Sequence, residues 1–114
     1  MTEAITMKTI LKQLYDHQKN VGFRYFKDEE DPNMPLFDNK YVLISKDEWN
    51  AVFAWSGIAP RVVTYWWKVF NSLEYLVPTQ QSNKTKDVLL NLEKIKEDID
   101  IRTGKTPDQF LGVI

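Results

Sequence analysis

Few residues in this 114-residue chain have the types and spacing that chemistry requires. His17 is the one histidine, and no nucleophile or paired carboxylate is placed near it by sequence, so it reads as a surface residue rather than a general base. Asp28, Glu29, Glu30 and Asp31 form an acidic run. They lack the alternate ligand spacing and the glycine of a calcium loop, which makes them a solvated loop. Gly104-Lys105-Thr106 matches only the tail of a phosphate-binding loop; the upstream glycine is missing, and no strand-to-helix setting surrounds it. The chain has no cysteine, which excludes a thiolate zinc site, a thiol nucleophile and a disulfide framework. The expectation is therefore a non-enzymatic protein with no catalytic residue, no metal site and no cofactor.

What remains is a distribution of charge. The net charge is −1, but between Ser56 and Lys86 four basic residues, Arg61, Lys68, Lys84 and Lys86, face Glu74 alone. That segment carries +3 and the rest of the chain −4. A local basic patch can attract a polyanion even when the whole protein is acidic. The four tryptophans invite a single-strand stacking role, since aromatics interleaved with basic residues can bind single strands, yet Trp49, Trp66 and Trp67 fall on apolar helix faces and are expected in the core. Trp55 is the one left for a partner surface.

The elements that must position these residues follow from periodicity and caps. Met7, Ile10, Leu11, Leu14 and Tyr15 recur at three- and four-residue steps, predicting a first helix with Thr2 as cap and Asn20 or Gly22 as its end. Val21–Phe26 reads as a short strand, Lys27–Pro35 as an exposed loop, and Tyr41–Ile44 as a β-prone run. Ser45-Lys46-Asp47-Glu48 is a capping-box pattern that starts a helix at Lys46, with Trp49, Val52 and Phe53 inward. Pro60 suits the first position of the next helix, where Val63, Trp66, Trp67, Phe70 and Leu73 form the inward stripe. Tyr75-Leu76-Val77 reads as a strand, followed by a polar turn over Gln80–Asn83. Residues 85–90 fit either a return strand or a helix capped by Thr85 and continuing through Ile95 and Ile99; the helix is favoured over most of the stretch. Thr106-Pro107-Asp108 starts a last short turn.

A chain of this length and composition, 43% hydrophobic and 27% charged, makes one domain over residues 1–114. No apolar run approaches the roughly 18 residues of a membrane span, and the N-terminus lacks a signal-peptide pattern, so the expected location is the cytoplasm, with no membrane partner.

In order, the segments Glu48–Val77 resemble the core of winged helix-turn-helix domains. Gly57-Ile58 stands in the small-apolar turn, Val63, Trp67 and Phe70 in the inward positions of the recognition helix, and Leu73, Tyr75 and Leu76 where that helix gives way to the wing strand. The resemblance implies an α+β, mostly helical fold. Its helix-turn-helix core covers about residues 41–86, with an added N-terminal helix and C-terminal helix. It also implies double-stranded DNA as partner. Arg61, Thr64, Tyr65 and Lys68 would project from the second helix toward the major groove, and Lys84 and Lys86 would hold backbone phosphates near the wing. The expected role is a small transcriptional regulator, or a replication or mobile-element accessory factor of phage, plasmid or viral type. The alternative is a protein-interaction module or inhibitor on the same scaffold, motivated by the overall acidity. A homodimer through the terminal helices is expected if one chain cannot cover both of their apolar stripes.

Overall fold

The computed structural model describes residues 5–23, 36–38, 40–78 and 87–112. The stripe at the start of the chain forms helix α1, Met7–Asn20, with Ile10, Leu11 and Leu14 buried. The Thr6 hydroxyl, and not Thr2, caps it by accepting the Thr9 N–H at 3.4 Å; Thr2 lies outside the described residues. At its far end, the Val21 and Gly22 amides both donate to the His17 carbonyl, with Gly22 at φ 95°. This closure turns the chain instead of extending it, so Val21–Phe23 is no strand; the rest of that expected strand and the acidic loop lie outside the described residues. Phe23 folds back, donating its amide to Gln18 Oε1 at 2.9 Å and packing its ring 4.7 Å from that of His17. His17 is consequently half-buried, not a plain surface residue, and burial lowers its pKa, against a smaller opposing effect of Glu48.

Strand β1, Tyr41–Ile44, buries Val42 and Ile44 and exposes more of the alternate residues, the period-2 pattern of a half-covered strand. The Ser45 hydroxyl then accepts the Glu48 amide at 3.1 Å and starts helix α2, Lys46–Val52, as expected. Helix α3 runs Pro60–Ser72 with Pro60 at its start. Ala59 offers no side-chain cap there. Strands β2, Leu76–Pro78, and β3, Val88–Asn91, complete an antiparallel sheet in the order β1-β3-β2. Leu90, in the middle, pairs with Val42 on one side and Leu76 on the other, and all three are buried.

β3 corrects the favoured helix over residues 85–90. The short apolar run Val88-Leu89-Leu90 fits both periods, and the sheet decides: as the central strand, Val88–Asn91 pairs with two neighbours, which a helix there would leave unpaired. The helix α4 begins only at Leu92 and runs to Thr103, capped by the Asn91 side chain, which accepts the Lys94 amide at 3.1 Å. Thr85 lies outside the described residues. Gly104, at φ 68°, ends α4 in the left-handed conformation that favours glycine. Thr106 and Gln109 then form a reciprocal capping box for helix α5, Pro107–Leu111.

The fold is thus α+β and mostly helical, with five α-helices, a short 3-10 helix at Leu36–Asp38 and one three-stranded sheet among the described residues. One core joins them, from Leu11 of α1 through Trp49 and Phe70 to Leu90, Ile95 and Leu111. The inward stripe of α3 ends differently from the expectation. Leu73 is exposed, and Tyr75 takes the buried place. The cause is Glu74, whose φ of 64° swings the chain so that the Tyr75 amide donates to the Phe70 carbonyl at 2.9 Å.

Tyr75 stacks edge-on to Phe70 at 5.3 Å and donates its hydroxyl proton to Asp98 Oδ2 at 2.7 Å. Burial, and then the bond to Asp98, push its pKa well above the ordinary 10. The native state therefore keeps a proton that the unfolded chain releases above pH 10, and stability falls as pH rises past that point. Denaturant titrations from pH 9 to 11 should show a declining midpoint, and Tyr75→Phe should show a shallower decline. An equal slope in both proteins would remove Tyr75 as its source.

Candidate nucleic-acid interface

Helix α3 has two chemically distinct faces. Val63 and Phe70 are buried, with Trp66 and Trp67 half-buried beside them. Arg61, Tyr65 and Lys68 are exposed. At about 100° per residue these three fall within roughly 60° of arc, so they form one face. The helix contains no acidic residue. Asn71 and Ser72 extend the polar surface toward its C-terminal end.

The inner face fixes the direction in which the outer one points. Trp49 of α2 is completely buried, and its indole Nε1 donates to the Val63 carbonyl at 2.8 Å. Its ring also lies 5.4 Å from Trp67 and 5.1 Å from Phe70, both edge-on. Three contacts along nearly two turns leave α3 little freedom to rotate about its own axis. Trp49 and Trp67 thus occupy the inward positions read from the sequence.

Thr64 differs from its expected role. It is half-buried at the α2 edge of the face, and its hydroxyl accepts a hydrogen bond from Lys46 Nζ at 3.3 Å. The same ammonium donates to Asn50 Oδ1 at 3.0 Å and sits 5.9 Å from the Trp67 ring centroid. Lys46 therefore joins the basic face from a neighbouring helix, a residue the sequence reading missed. One local signal marked it. A lysine in the first turn of a helix opposes the macrodipole and calls for compensation elsewhere, which Thr64, Asn50 and Trp67 supply. Asp47 and Glu48, in that same first turn, satisfy the dipole and set negative charge beside Lys46.

Lys84 and Lys86 lie outside the described residues. Comparison with protein-family models, curated proteins and solved structures finds no match.

The turn between α2 and α3 has a different character. Trp55 is 98% exposed there. An open groove is lined by Ile58 and Ala59 of the turn and by Val62, Tyr65 and Trp66 of α3. At the other end of the chain, the Thr106 hydroxyl is engaged by the Gln109 amide and Gly104 closes α4, so Gly104-Lys105-Thr106 is a helix-to-helix connection. Among the described residues, no group of three His, Asp or Glu comes together in a way that could hold a metal ion. No described helix is long and apolar enough to cross a membrane.

Proposed function

We propose that this protein is a non-enzymatic, winged helix-turn-helix-like domain that binds double-stranded DNA through α3. The observation that carries the reading is the exposed arc of Arg61, Tyr65 and Lys68, flanked by Lys46, on a helix whose opposite face is held by Trp49. Two further features support it. The order helix, strand, helix, helix, strand, strand is that of winged domains, and β2 and β3 are antiparallel neighbours joined directly after α3, where a wing stands. In this mechanism α3 enters the major groove. Arg61, Lys68 and Lys46 neutralise phosphates or meet base edges, and Tyr65 supplies an aromatic face with a hydrogen-bonding hydroxyl. Lys84 and Lys86 add phosphate contacts from the segment between β2 and β3. The protein acts in the cytoplasm as a small regulator or as an accessory factor of a mobile element.

The second reading, a protein-interaction module, is favoured by Trp55 and the Ile58–Trp66 groove, a largely apolar surface that adjoins the basic arc at Tyr65. Homodimerisation through α1 and α4 has less to motivate it, since Leu11, Leu14, Ile95 and Ile99 are covered within one chain. Ile101, 73% exposed, is the part of α4 left for a second copy. Amide chemical-shift mapping with a mixed-sequence duplex separates these surfaces. Shifts should concentrate at Lys46, Arg61, Tyr65 and Lys68; shifts confined to Trp55–Ala59, or none, would count against the DNA reading.

A further inference from the structure

Helices α1, α4 and α5 do not close completely around Tyr75. They leave a partly enclosed cavity of about 170 Å³. Its apolar walls include Leu11, Ile95, Ile99 and Phe110, and the polar residues that line it are Tyr75, Asp98, Arg102 and Thr103. Leu11 and Ile95 are core residues, so the walls are held by the fold and do not depend on a side chain swinging aside. An apolar cavity of about 150 Å³ accommodates one benzene ring, so this space takes a single six-membered ring and little more.

The polar groups narrow the chemistry. One oxygen of Asp98 accepts the Tyr75 hydroxyl at 2.7 Å, and a carboxylate retains capacity to accept more. Arg102, one turn further along α4, places positive charge near enough to act on Tyr75. A carboxylate ligand would be repelled by Asp98, and an ammonium would meet Arg102. A neutral ring with an O–H or N–H donor suits both. We infer that this cavity binds small neutral aromatic molecules carrying one hydrogen-bond donor, with the ring between Leu11, Ile95 and Phe110 and the donor on Asp98. The site is separate from the α3 face and stands whether or not that face binds DNA.

Phenol is the direct probe, with toluene and benzoate as comparators, in an amide chemical-shift titration of the full chain. Phenol should give saturable shifts at Tyr75, Ile95–Thr103 and Phe110 below about 10 mM, and bind roughly tenfold more tightly than toluene. Ile99→Phe, which fills the cavity, should abolish those shifts. Asp98→Ala leaves the apolar walls in place and should erase the preference for phenol over toluene, which keeps the test decisive if Ile99→Phe does not fold. Absence of saturable shifts at the cavity, equal binding of toluene or benzoate to the unmodified chain, or an unchanged phenol preference in Asp98→Ala would each overturn the assignment.

Discussion

Replacing Arg61 and Lys68 together with alanine should lower affinity for duplex DNA about a hundredfold near 100 mM salt, at an almost unchanged melting temperature. Each side chain is exposed, so its loss should cost the fold no more than about 0.5 kcal/mol. In a domain of this size that is a shift of roughly 3 °C. Binding responds differently. Loss of one charge-assisted contact costs about 1.5 kcal/mol at the lower end of its range, which is roughly tenfold in affinity for each residue. The salt dependence should flatten as well, by about one unit of slope per cation removed. Fluorescence anisotropy with a labelled duplex, alongside thermal denaturation by circular dichroism, reads both quantities. Unaltered binding in a folded double variant would leave the basic face without a role.

Trp49→Ala should be the most damaging single substitution in the helical pair. The ring is fully buried among Phe53, Trp67 and Phe70, at centroid distances of 5.0, 5.4 and 5.1 Å. Truncating a buried Trp or Phe costs about 3–5 kcal/mol, a large share of the roughly 5–15 kcal/mol that holds a typical domain together. A fall of at least about 15 °C in melting temperature follows. Trp49→Phe keeps most of the packing but loses the donor to the Val63 carbonyl, and should cost about 1–2 kcal/mol. A loss below about 1 kcal/mol in the alanine variant would mean that α2 does not anchor α3 as described. The link to the proposed DNA contact is direct, because the same indole sets which face of α3 points outward.

Local chemistry made much of this arrangement legible. Ser45, Pro60 and the Thr106-Pro107 pair mark helix starts through interactions with residues at most a few positions away, and all three helices begin there. The spacing of Arg61, Tyr65 and Lys68 opposite Val63 and Phe70 likewise needs only helical geometry. What escaped depends on partners distant in sequence. Val88–Asn91 becomes a strand because β1, more than forty residues earlier, offers one edge and β2 the other. Leu73 loses its inward place to Tyr75 because Glu74 adopts a left-handed conformation that its residue type does not advertise. Lys46 reaches the basic face through Thr64, 18 residues away. The cavity beside Tyr75 needs three helices to be placed before it exists.

The central claim is that α3 presents a phosphate-binding face, and equilibrium binding to a random-sequence duplex across a salt series tests it most directly. Lys46, Arg61 and Lys68 alone predict a slope of log affinity against log salt of about −2.7 or steeper. Affinity should then fall at least about fortyfold between 50 and 200 mM salt. Absence of binding by folded protein at about 50 mM salt, or binding that ignores salt, would contradict the account and leave the surface around Trp55 as the one to pursue.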